Sequence, residues 1–183
     1  MCLHSGQILD QSVARAPYPG SQLGDWHVLQ TLSRQEKILS RDLAAMSVPH
    51  FLPLVRQPRY YGKRKVSVEV PLFPGYLFLR GSLDSAYQAD RTGRVAQIIR
   101  VADQSQLDWE LHNLHLALSE HAQLDPYPYL KEGLRVEIRS GPFRGMQGLI
   151  DARVKQDRLI LQVNLLGRAV SVEVDASLLD VIH

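Results

Sequence analysis

The chain is poor in the residues that build many kinds of site. Cys2 is the only cysteine among 183 residues, so neither an internal disulfide nor a thiolate metal site can form. Aromatic residues are only 7%. No run approaches the roughly 20 apolar residues that span a bilayer. The first twenty residues, MCLHSGQILDQSVARAPYPG, lack the basic start and apolar stretch of a secretory signal. A cytoplasmic location is the default expectation, with no membrane contact. No charge of one sign dominates: 21 Lys and Arg against 19 Asp and Glu leave +2. A balance this small does not mark a chain that coats nucleic acid.

Catalytic signatures are missing as well. His112 and His115 lie three apart on a helical stretch and could share a metal, but no third ligand matches their face. Ser140-Gly141-Pro142 lacks the strand–Ser–helix context of a nucleophile elbow. Gly141, Gly145 and Gly148 have no Lys-Ser or Lys-Thr pair after them, as a phosphate loop requires. Paired acids at useful spacing are absent. The expectation is a protein that is not an enzyme and uses no cofactor.

What is present is an apolar share of 45% and a charged share of 22%, which describes a globular protein. The small charge excess is local. Residues 25–121 hold 12 basic and 10 acidic side chains, whereas residues 122–183 hold eight of each. Arg56, Arg59, Lys63, Arg64 and Lys65 fall within ten residues without an acid, around Tyr60 and Tyr61. Gly62 at their centre reads as a hairpin tip, because 65–70 alternates with period two.

The order of elements follows from period. Residues 1–24 carry no periodicity and read as a flexible tail. WHVLQT (26–31) reads as a strand. Ile38, Leu39, Leu43 and Met46 share a helical face over 34–46, with Ser33 as N-cap and Pro49 as stop. FLPLV (51–55) is a second strand, and PLFPGYLFL (71–79) leads into another. A short helix covers 85–91, then VAQIIRV (95–101) is a strand. Leu107, Leu111, Leu114 and Leu118 mark a longer helix with Ser105 and Asp108 as its start box. An antiparallel sheet covered by helices on one side fits this order. DPYPY (125–129) signals a linker. Five short strands follow, at 134–138, 148–151, 158–165, 169–174 and 178–182. Five strands in about 50 residues is the scale of a small barrel. In the tight loop of VEIRSGPFRGMQGLI (136–150), Phe143 and Met146 either cap that barrel or anchor a partner.

That segment resembles the KOW motif, and LLGRAVSVEVDASLLDVI resembles the end of the C-terminal domain of NusG, a bacterial transcription elongation factor. WHVLQT, the helix after it, PLFPGYLFL and RVAQIIRV resemble the NusG N-terminal domain, called NGN. The resemblance spans about Trp26 to Ile182. It implies an α+β chain: an NGN-like α/β sandwich over 25–121, a linker over 122–130 and a five-stranded KOW barrel over 131–183. It also implies a job. NGN domains dock on the clamp helices of RNA polymerase, bridge the DNA cleft and oppose pausing, while the barrel engages a ribosomal protein or Rho.

Carried over by position, Gln30, Phe73, Pro74 and Phe78 would meet the clamp helices. Ser85, Ala86 and Tyr87 would meet the other pincer. Arg34, Arg91 and Arg94 would face DNA, as a secondary contact. Phe143 and Arg144, with Met146 beside them, would face the barrel's partner. PLFPGYLF is similar to the specialised paralogues, RfaH-like and capsule-operon antiterminators, at least as much as to general NusG. A monomer is expected. The rival reading is a ribosome-associated or RNA-binding KOW protein, which the neutral charge of 122–183 disfavours.

Overall fold

A computed structural model of the chain describes residues 18–130, 133–151 and 158–182. Most of the tail expected over 1–24 therefore lies outside the described residues, as does the turn between the strands ending at 150 and starting at 158. The N-terminal sheet has four antiparallel strands in the order β2 (His50–Phe51), β5 (Tyr76–Gly81), β1 (Asp25–Thr31), β6 (Val95–Arg100). The strand read over 51–55 is split by Pro53. Phe51 stays in this sheet, whereas Leu54 opens β3 (Leu54–Tyr61), which pairs only with β4 (Arg64–Pro71) as a separate hairpin.

The sheet is covered on both faces, not on one. Strand alternation explains why. Trp26 and Val28 of β1 and Phe78 of β5 point one way, to α3 (Gln104–Ser119). Leu29, Leu77 and Leu79 point the other way, to Leu39 and Leu43 of α1 (Glu36–Ala45) and Ala89 of α2 (Leu83–Asp90). Both central strands are thus buried on two faces and read as apolar runs.

The helix starts differ from the sequence reading. Neither Ser33 nor Ser105 caps. Arg34 adopts a left-handed φ of 61°, so α1 begins only after Gln35. Asp103 caps α3, its carboxylate accepting the Gln106 N–H at 2.9 Å. Asp103 is the better cap because its extended backbone turns the side chain onto the open first turn.

The C-terminal sheet has six strands rather than five, ordered β12 (Leu179–Val181), β8 (Leu134–Ile138), β9 (Gln147–Ile150), β10 (Arg158–Val163), β11 (Arg168–Glu173), β7 (Asp125–Tyr127). The sixth, β7, comes from the stretch read as linker. Proline restricts φ and forbids one donor, yet both conditions suit an edge strand, and Pro126 sits opposite Val170 on that edge. No helix among the described residues is long and apolar enough to cross a membrane.

Candidate interaction surfaces

Helix α3 lies between the two sheets. Its leucines at 107, 111, 114 and 118 face the N-terminal sheet, as their spacing requires. The residues one step round the helix, Gln106, Trp109, Glu110 and Asn113, face the C-terminal sheet. The Trp109 indole N–H donates to Gln147 at 2.8 Å, and the Arg135 guanidinium lies 4.8 Å from the indole centroid. The Gln147 backbone N–H donates to the Asn113 side-chain oxygen at 2.7 Å. The Asn164 backbone N–H donates to both carboxylate oxygens of Glu110, at 3.1 and 3.2 Å. One apolar cluster consequently runs from Val28 and Phe78, through α3, to Leu161 and Val170. The leucine stripe announced only half of this helix. Trp109, Glu110 and Asn113 were legible only as polar or surface positions, although their i, i+1, i+4 spacing does place them on one side.

Glu110 is 3% exposed, and burial pushes its carboxyl pKa above the ordinary 4.5. The Gln106 amide and the Asn164 N–H act against that rise. A carboxyl whose folded pKa is raised contributes stability fully below its unfolded pKa and loses it as pH climbs through the folded value. His50 and His115, held below 6.5 by burial, act in the opposite sense as pH falls below 6.5. The difference between wild type and Glu110→Gln isolates the carboxyl. We expect the wild-type stability, relative to that variant, to decline as pH rises from 4.5 through the raised value. Denaturant titrations at several pH values measure it. Glu110→Ala removes the acceptor of the Asn164 N–H and should cost about 1 kcal/mol at pH 4.5, and less as pH rises.

The residues of the expected polymerase-binding surface are distributed unevenly. Phe73 is 4% exposed and Phe78 fully buried, their rings edge-to-face with centroids 6.4 Å apart. Phe51 flanks Phe78, and Tyr18 meets Phe51 edge-on at 5.2 Å. Tyr18 also stacks on His115 at 4.5 Å. Burial and the Asp108 carboxylate raise its phenol pKa. The sequence places Tyr18 in the tail because two of the rings that hold it, Phe51 and His115, are 33 and 97 residues away.

Pro74, by contrast, is exposed on a loop that is held firmly. The Gly75 N–H donates to the buried Glu36 carboxylate at 2.7 Å, and the Thr31 N–H donates to the Gly75 carbonyl at 2.8 Å. Gln30 is half-buried at the rim of the same sheet face, paired with Tyr76. In the second group, Ala86 is fully buried and Ser85 half-buried, its N–H directed to the Ser82 cap; Tyr87 is 49% exposed.

Among the arginines, Arg34 and Arg91 are exposed. Arg94 is committed elsewhere: it donates to Asp42 and to Gln35, both at 2.7 Å, and so ties β6 to α1. In the loop between β8 and β9, Met146 is fully buried in the common apolar cluster and presents nothing to a partner. Phe143 is half-buried against that cluster, and Arg144 is exposed. The reason is the turn itself. The Gly145 N–H bonds the Ile138 carbonyl and the Ile138 N–H bonds the Met146 carbonyl, which folds Met146 back beneath the sheet.

His112 is exposed and His115 packs on Tyr18. No group of three or more His, Cys, Asp or Glu residues that could hold a metal ion occurs among the described residues.

Residues 24–108 match the family model described as "Transcription termination factor nusG". No curated protein matches. Among solved structures, the chain is similar to one described as "Domain interaction in Thermotoga maritima NusG", at 23% identity and a TM-score of 0.41, over 87% of this chain and 97% of that one. It is also similar to an MjSpt4:Spt5 complex, at 14% identity and a TM-score of 0.28, over 86% and 96% of the two chains.

Proposed function

We propose that this chain is a transcription elongation or antitermination factor, operon-specialised within the NusG family, that binds RNA polymerase across the DNA cleft and suppresses pausing. The observation that carries the reading is the NusG family match over residues 24–108. The mechanism needs no cofactor. A rigid sheet flanked by helices bridges two walls of a cleft, and it shifts the polymerase away from paused states to the extent that it binds those states less well. On this reading exposed Pro74 and half-buried Gln30 form the accessible part of the surface that meets the clamp helices, with Phe73 and Phe78 as the packed floor beneath. Tyr87 meets the opposite wall, and Arg34 and Arg91 are the arginines free to face DNA. The C-terminal sheet, read as a KOW domain, presents Arg144 and the edge of Phe143 to a second partner such as a ribosomal protein or Rho.

Binding of the purified chain to core RNA polymerase tests this. Wild type should bind. Gln30→Ala combined with Tyr87→Ala should weaken binding by about tenfold or more, since each wall of the cleft then loses one contact, at an unchanged unfolding midpoint. Unaltered affinity in that folded variant would discard the assigned surface. An absence of binding by the wild type would discard the reading.

A further inference from the structure

The β3–β4 hairpin stands apart from everything described so far. Its two strands pair only with each other, in unbroken register from Leu54↔Pro71 to Tyr61↔Arg64. Eight residues per strand give a ribbon of about 26 Å at about 3.3 Å per residue. Only the base is anchored. Leu54 is buried and Val55 packs on the main cluster. The Leu72 N–H donates to the Pro53 carbonyl at 2.8 Å, and the Lys37 ammonium donates to the Glu69 carbonyl. From Arg56 to Tyr60 and from Gly62 to Lys65 every residue with a described side chain is exposed. The tip is a two-residue turn, Gly62-Lys63, with φ of 62° at Gly62, as a tight hairpin turn with glycine first requires.

Five cations occupy this arm: Arg56, Arg59, Lys63, Arg64 and Lys65. Among the described residues Arg56 has an acid nearby, Glu69 at 3.9 Å, with 76% of the Arg56 side chain exposed. No ion pair to Arg59, Lys63, Arg64 or Lys65 occurs among the described residues. Their mutual repulsion contributes nothing to folding. Protection of an open strand edge would explain Pro58 and charges of either sign, but not five charges of one sign. The register places them on both faces of the ribbon. Arg56, Tyr60 and Lys65 share one face, and Arg59 and Arg64 the other, with Lys63 at the tip.

A narrow ribbon with cations on both faces and at its end is satisfied by anions on two sides at once. Duplex DNA offers this: its major groove is about 12 Å wide, admits a two-stranded β-ribbon and is walled by two phosphate backbones. The A-form groove of duplex RNA is too narrow and deep for such entry. We propose that the β3–β4 hairpin is a sequence-independent DNA-binding arm that enters the major groove, with Arg59, Lys63, Arg64 and Lys65 on the phosphates and Tyr60 against the groove wall. This site stands independently of polymerase binding, and it is separate from the Arg34 and Arg91 positions.

Fluorescence anisotropy of the full chain with a labelled random 25-base-pair duplex, without polymerase, is the test. Four phosphate contacts predict a slope of log K against log salt of about −3.6, and therefore roughly a 150-fold loss of affinity between 50 and 200 mM salt. The variant Arg59→Gln, Lys63→Gln, Arg64→Gln, Lys65→Gln should bind at least tenfold more weakly at 50 mM salt, with the slope reduced to less than −1 in magnitude. Arg41→Gln with Arg168→Gln, two exposed cations away from the arm, should stay within threefold of wild type. Should the quadruple variant fail to fold, Arg59→Gln with Arg64→Gln, expected to halve the slope, replaces it. Unchanged affinity and slope in a folded hairpin variant would overturn the proposal. So would wild-type chain that does not bind duplex at 50 mM salt, or that binds single-stranded nucleic acid or duplex RNA more tightly than duplex DNA.

Discussion

Phe78→Ala should lower the stability of the chain by about 3–5 kcal/mol, the range for truncating a buried Phe. Phe78 is fully buried at the centre of β5. It sits opposite Val28 on one side and Phe51 on the other, and Phe73 closes over its edge. No neighbour can collapse into the space. Val28 and Phe51 are fixed in paired strands, and the leucines of α3 are held from the far side by the C-terminal sheet. Against a total of about 5–15 kcal/mol for a folded domain, the loss is a large fraction. The unfolding midpoint should fall by on the order of 10 °C. The consequence for function is specific. A Phe78→Ala chain that no longer binds a partner has lost its fold, not a contact. Thermal unfolding followed beside binding separates the two, because Gln30 and Tyr87 can be changed with the midpoint intact.

The order of elements was legible because the chain alternates and repeats with clean periods. Trp26, Val28 and Leu29 announce β1, and the leucines from 107 to 118 announce α3. What periodicity does not give is the second partner of an element that has two. Leu77, Phe78 and Leu79 read as one apolar run, and a run buried on both faces carries no alternation to show that helices lie on either side. Helix α3 posed the same difficulty in another form. Its second face is made of Trp109, Glu110 and Asn113, which bury through hydrogen bonds to Gln147 and Asn164 rather than through apolar area. A pattern counted in leucines does not register such a face. The strand β7 escaped notice because its prolines signal an extended chain without saying whether that chain pairs.

Site residues were less legible than elements, for a reason visible at 73–78. An aromatic-rich segment on a strand looks the same in sequence whether it is a binding surface or a floor. Phe78 became floor because Phe51, itself met edge-on by Tyr18, and Phe73 pack on it within the cluster that includes the α3 leucines, and those contacts join residues far apart in the chain. Arg94 shows the complementary case. An arginine after a helix reads as free cation until Asp42 and Gln35 are found against it. The basic hairpin, in contrast, was legible throughout, since five cations in ten residues leave no acid within reach to neutralise most of them.

Gly148→Ala should cost about 2 kcal/mol, within the range for forcing an extra carbon into a packed site. The three glycines of the 141–148 segment look alike in sequence, yet they are required for different reasons. Gly141 and Gly145 have φ of 87° and 83° with open space where a Cβ would stand, so their constraint is conformational. Gly148 has no positive φ. A Cβ there would lie 2.7 Å from the Ile160 carbonyl oxygen and 2.9 Å from Leu159 Cγ. Trimming Leu159 cannot relieve the closer of these contacts, since it is to backbone, so Gly148→Ala with Leu159→Ala should remain destabilised beyond Leu159→Ala alone. The only escape is for β9 to move away from β10. Gln147, the residue before Gly148, bonds Trp109 through its side chain and Asn113 through its backbone, so that movement pulls on α3. The variant should therefore show both a lower denaturation midpoint and a shifted Trp109 emission under native conditions, as the indole loses its partner to solvent. A midpoint equal to wild type would mean that the strand gives way without cost and that the close approach of β9 to β10 is not a constraint on the fold.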